Sequence, residues 1–132
     1  MQKAKTIALW VLQVLLCLLF TLIGYEKFVN PIWARRFQAW GYPDHFYQLI
    51  GALEVLGALS LLVPRLAGYG AAGLMVIMVG AGATHLVHGE KQWVSPAVFL
   101  VLLSIIAVVR LRARAASRDQ LTAAVNHNTS TA

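Results

Sequence analysis

The chain has 132 residues, 59% of them hydrophobic and 12% charged, with a formal net charge of +6. Soluble domains average about 45–50% apolar and about 25% charged residues, and so short a chain has too little interior to hide that excess. The apolar surface must face lipid, so the composition excludes an ordinary soluble domain. The basic excess does not indicate nucleic acid, because Arg110, Arg112, Arg114 and Arg118 follow directly on an apolar run, where a positive-inside flank belongs. Cys17 is the single cysteine, which excludes an internal disulfide, a C-x-x-C dithiol and attachment of a c-type haem.

Hydropathy predicts an all-α integral membrane four-helix bundle. Its spans cover 6–24, 46–63, 66–87 and 95–109 of a single domain over residues 1–110, and 111–132 form a basic, then polar, disordered tail. At ~1.5 Å per residue the first three runs reach across a ~30 Å hydrocarbon core, and the fourth gains length from Trp93 and Arg110 at its ends. The first run follows Lys3 and Lys5 but is too long for a signal peptide and lacks a small-residue cleavage site, so it reads as a retained anchor. Within it Gln13, Cys17, Thr21, and Gly24 or Tyr25 follow at steps of four, four, then three or four and form a polar stripe that should turn inward.

The loop from Glu26 to His45 carries Ile32, Trp33, Phe37 and Trp40 at helical spacing, which predicts a short amphipathic helix lying on the outer surface. In the second span Glu54 stands ~12 Å below the outer end. An ionised carboxylate there costs at least ~2–3 kcal/mol, so Glu54 must be paired, hydrated through a cavity or protonated. Gly51 and Gly57 on its face predict close packing against the glycine-rich third span. Pro64-Arg65 leaves room only for a tight hairpin between them. The third span ends in Thr84, His85 and His88, with Glu90 just beyond. Ser95-Pro96 is expected to cap the fourth.

Lys and Arg number seven on one side and four on the other when both termini are placed in the cytoplasm, so this orientation is favoured. The outer ends then form a cup with Glu54 at its floor and Lys27, His85 and His88 near its rim. Glu54 lies ~10 Å below His85, a gap for water rather than direct pairing. The candidate pocket or proton residues are Glu54, His85, Thr84, Lys27 and Tyr25. His85, His88 and Glu90 make only a weak metal set, since H-x-x-H is a common spacing, and no metal is expected.

The stretches "GYEKFVNP" and "GALEVLGALSLLVPRLAGYGAAGLMVIMVGAGATHLVHGE" resemble the DoxX-like family of small bacterial membrane proteins over about residues 20–110. The most specific parts are the E-x-x-G-A around Glu54 with the following L-L-x-P-R, and the A-x-x-T-H ending at His85. The resemblance implies a four-helix bundle in the bacterial cytoplasmic (inner) membrane. Some relatives are small subunits of quinone-linked sulfur oxidation, others accompany oxidative-stress proteins, and similar four-helix proteins act as assembly chaperones. Glu54, the Pro64-Arg65 hairpin and Thr84-His85 carry over by motif; His88 and Glu90 do not.

The expectation is an accessory subunit of a quinone-linked membrane oxidoreductase, not a stand-alone enzyme, with Glu54 and His85 lining an intramembrane pocket. Such a chain has no cofactor of its own, binds a quinone, and sits in the lipid bilayer beside another membrane or peripheral protein or a second copy of itself. Two alternatives stand beside it. One is a non-enzymatic assembly or docking protein, packed solid around Glu54. The other is a small-molecule carrier using Glu54 as its proton site, for which no inverted repeat is visible.

Overall fold

No proline interrupts the first apolar run before Pro31, and the helix it forms is longer than the expected 6–24. In the computed structural model, which describes residues 2–132 and so leaves position 1 of the expected 1–110 domain outside, α1 spans Gln2–Val29. Asn30 then accepts the amide of Ile32 at 3.1 Å, and Pro31 opens α2, Ile32–Ala39, the short helix expected in this loop. α3 covers Phe46–Ser60 and stops before the expected Val63, because residues 61–66 already form the turn around Pro64. α4 covers Ala67–Val87. A 3-10 turn, Lys91–Trp93, leads into α5, Val94–Ser130.

Two expectations for the last helix need correction. Ser95 does not cap it: the helix starts at Val94 without a side-chain cap, and Pro96 sits in its first turn. Residues 111–132 were expected to form a disordered tail, yet the helix continues to Ser130, exposed from Arg112 onward. Ala, Arg and Leu make up half of this stretch and neither Gly nor Pro occurs in it, so backbone propensity sustains a helix that no packing requires.

α1, α4 and α5 with its 3-10 turn are long and apolar enough to cross a membrane, while α3 is a shorter apolar helix. α1 packs along α3 and α4 along α5; α3 and α4 join these pairs, and α1 meets α5 only sparsely. The solid core, with Leu16, Phe20, Leu61, Leu74, Leu103 and Ile106 fully buried, lies toward the α3–α4 turn. Outward-facing Val11, Leu22, Leu56, Val76 and Val101 remain exposed, as a lipid-facing surface requires.

Lipid tails are as apolar as leucine, so the helices associate through close packing rather than escape from water. Glycines set the approaches. A Cβ on Gly24 would stand 2.6 Å from the Gly51 carbonyl oxygen, and one on Gly57 would stand 2.7 Å from Leu74. Gly57 therefore meets the third span as expected, whereas Gly51 faces α1 instead. On the α3–α4 turn side Gln13 is wholly buried. Its Nε2 donates to the Leu61 carbonyl at 2.5 Å, one of those left over where α3 ends, and its Oε1 accepts from Arg110 Nε at 2.8 Å.

Candidate functional site

The Gly24–Gly51 contact determines what faces what one turn further along each helix. Lys27 follows Gly24 by three residues and Glu54 follows Gly51 by three, so both turn into the same seam. Lys27 Nζ lies 2.8 Å from Glu54 Oε2, with side-chain exposures of 5% and 3%. Lys27 was expected at the rim. Because α1 runs on to Val29, its long stem instead follows the seam down to the acid, and Lys27 joins Glu54 at the floor. Glu54 is paired with Lys27, the first of its three expected states. Tyr25 is not part of the site. One helical step of ~100° from Gly24 turns it outward, and it is 59% exposed.

α2 roofs the space above this pair. Phe37, 7% exposed, inserts among Trp33, Trp40, Tyr42, Phe46 and Tyr47, its ring 5.3–6.4 Å from theirs. Lys27 Nζ stands 4.6 Å from the centre of the Trp33 ring, a cation–π contact from below. Tyr42 hydroxyl and Thr84 Oγ1 are 2.6 Å apart. Thr84 gives its own proton to the Gly80 carbonyl at 2.8 Å, so Tyr42 is the donor between them.

The end of α4 builds the second polar group. Gly89 adopts φ +68°, its amide donates to the Leu86 carbonyl, and the Glu90 amide donates to the His85 carbonyl. This is a Schellman ending, which folds the residue after the glycine back over the last turn. Glu90 Oε2 thereby reaches His85 Nδ1 at 2.6 Å. The carboxylate also accepts from Arg36 Nη2 at 3.0 Å and Trp40 Nε1 at 3.2 Å. The hydrogen bond from His85, with those from Trp40 and the Arg36 charge, holds the Glu90 carboxyl below its ordinary value despite partial burial. A carboxylate can only accept, so Nδ1 carries the proton and a neutral His85 ring keeps Nε2 as its acceptor.

Glu90 thus belongs to the site, together with Arg36, Trp40 and Tyr42, none of which was among the expected pocket residues. A signal existed for Glu90: a glycine directly after the last helical turn predicts the fold-back. Trp40 carried no signal beyond its place on the expected surface helix, and Arg36 and Tyr42 carried none. His88 stands apart, its Nδ1 2.8 Å from the Thr84 carbonyl, closing the helix end. The weak metal set does not assemble as one group: His85 and Glu90 meet, and among the described residues no cluster of three His, Cys, Asp or Glu forms.

Between the buried pair and the His85–Glu90 group lies a cavity of about 670 Å³. Glu54, Lys27, Thr84 and His85 line it, with Ile50, Leu53, Ile77, Met78 and Phe99 among its mostly apolar walls. Glu54 and His85, expected to be separated by water, face this one space from floor and rim.

A helical bundle with apolar spans and a pocket sunk between its helices defines a small integral membrane protein. The sequence profile of the DoxX-like family matches residues 11–108, and the chain belongs to that family. No curated protein and no solved structure gives a significant match.

Proposed function

We propose that this DoxX-like protein is an accessory subunit of a quinone-linked oxidoreductase system in the bacterial cytoplasmic membrane, with both termini cytoplasmic, and that its cavity holds a quinone headgroup between Glu54 and His85. The observation that carries this reading is a mostly apolar cavity running from the Lys27–Glu54 pair to the His85–Glu90 pair. Ligand sites are concave and mainly apolar with a few convergent polar groups, and this cavity has that character.

The chemistry follows from the two ends. His85 Nε2 accepts a proton from a quinol hydroxyl, and the imidazolium so formed sits against the Glu90 carboxylate, which stabilises it. Glu54, its charge balanced by Lys27, accepts the proton of the second hydroxyl, so both protons released with the two electrons have an acceptor. Electrons go to a partner oxidoreductase. A docking protein without a ligand was expected to be packed solid around Glu54, so the cavity weighs against that alternative.

Membranes from cells lacking the protein, complemented with wild type, Glu54→Gln or His85→Gln, test the reading through quinone-linked electron transfer. Loss of activity in both variants is the expected result. The reading fails if both variants sustain full activity and the purified protein retains no quinone.

A further inference from the structure

The water-facing end of the cavity is bordered by polar side chains, the exposed Glu26, Gln92 and Ser95. α2 lies across it, held by the Phe37 aromatic cluster, and Arg36 is bound to both Glu90 and Gln92 Oε1, at 3.0 and 3.1 Å. The wall between α1 and α5 is stopped lower down by Phe20 against Phe99, ring centroids 4.9 Å apart. The α3–α4 wall is different. These helices touch near their turn, where Gly57 meets Leu74 and Gly70 meets Ser60. Toward α2, residues of both helices line the cavity and are also exposed on the outer surface: Leu49 and Leu53 of α3, 53% and 42% exposed, and Val76 of α4, 73% exposed. Gly80 also lines the cavity, and a Cβ built on it meets no atom within 4 Å. Side chains that belong to a cavity wall and to the lipid-facing surface at once mark an opening.

We propose that the cavity is loaded sideways from the bilayer, through the gap between α3 and α4 in the leaflet on the α2 side, by a lipid with an uncharged polar head and a long apolar tail that stays in the gap. This deepens, and rests on, the quinone reading. The head is uncharged because both cations in the cavity wall already have carboxylate partners, Lys27 with Glu54 and Arg36 with Glu90, and Glu26 adds a further acid to the lining. A phosphate head would find no unmatched cation and one extra negative charge. The tail lies between Leu53 and Val76, where contact with apolar side chains costs nothing relative to lipid.

The test narrows the gap without touching the polar groups. Gly80→Trp places a ring in open space, and Val76→Trp, on an already exposed position, is a second variant should the first not fold. Binding to protein in lipid nanodiscs is measured for a benzoquinone with an isoprenoid tail and for the same ring without it. The expected result is a loss of affinity for the tailed quinone by roughly tenfold or more, with the tail-less ring changed less than about twofold. Equal retention of both ligands overturns the lateral entry, and so does equal loss of both, which would place position 80 within the headgroup site.

A second arm separates this proposal from the quinone reading. Nanodiscs containing a diacylglycerol with a photoreactive diazirine on its tail are irradiated and the labelled peptides mapped. If the wild type binds neither quinone but is labelled at Leu53 or Val76, and Gly80→Trp blocks the labelling, the quinone reading is lost and the lateral opening stands. Labelling spread evenly over the lipid-facing helices overturns the opening itself.

Discussion

The ammonium of Lys27 lies 2.8 Å from the carboxylate of Glu54, both side chains almost wholly removed from solvent and contributed by different helices. A pair held this deep offsets its own desolvation only while both partners are present. Glu54→Ala or Lys27→Met alone leaves one buried charge unmatched and should cost about 3–5 kcal/mol. The double variant Lys27→Met with Glu54→Leu removes both charges and should recover most of that loss. Thermal unfolding in one detergent ranks the three. A double variant less stable than both singles would show that the pair is not what its geometry indicates.

The pair depends on the approach of α1 to α3 at Gly24 and Gly51, where any Cβ meets the facing backbone. Gly24→Val should separate the helices and lower the unfolding temperature strongly. Gly73→Ala, with nothing within 4 Å of the added carbon, should be neutral or stabilising by up to about 1 kcal/mol, since alanine is the better helix former. Equal effects of the two would remove the close approach as the reason for glycine at position 24.

Glu90 gives the rim a pH dependence of defined sign. Its carboxyl is held below the ordinary value of 4.5, chiefly by the hydrogen bond from His85. A carboxyl depressed on folding adds stability that is fully present above its unfolded value and is lost as pH falls through its folded value. The contacts of Glu90 with His85, Arg36 and Trp40 should therefore persist at neutral pH and begin to weaken below pH 4.5. Near-ultraviolet circular dichroism of the tryptophans should report this loss in wild type. In Glu90→Gln the acid-dependent change should be reduced; an identical acid response would place its origin elsewhere.

In the proposed quinone site His85 accepts the proton at the rim and Glu90 orients its ring. His85→Gln should lower quinone-linked turnover by roughly a hundredfold, the lower range for general acid–base catalysis. Glu90→Gln should lower it less, because the ring and its Nε2 remain. Tyr25→Phe should leave turnover unchanged, since Tyr25 faces away from the cavity. A fall for Tyr25→Phe as large as that for His85→Gln would argue against this location of the site.

Much of the fold was legible because hydropathy and helical spacing report it directly. The limits of α4, the short helix at Trp33–Phe37, the hairpin at Pro64 and the inward turn of Gln13 and Glu54 all follow from local pattern. The partner of Glu54 did not, since apolar content falls at Tyr25-Glu26-Lys27 while the backbone stays helical for another turn. Hydropathy marks where lipid-facing character ends, not where hydrogen bonding along the helix ends. The same confusion led to a disordered tail after Arg110, where propensity maintains the helix without any apolar face. The His85–Glu90 contact was readable from Gly89 as a helix-ending signal, but Arg36 reaches it across 54 residues of chain separation, which no local pattern encodes.

If the space between Glu54 and His85 is a quinone site, the protein should carry quinone out of the membrane, and lipid mass spectrometry of the purified protein measures this. Wild type and the charge-free double variant Lys27→Met/Glu54→Leu are extracted from the same membranes and their co-purified lipids measured per mole of protein. The expected result is retained isoprenoid quinone, enriched over the bulk membrane in wild type and reduced to the bulk ratio in the folded double variant. Quinone at the bulk ratio in both samples would contradict it.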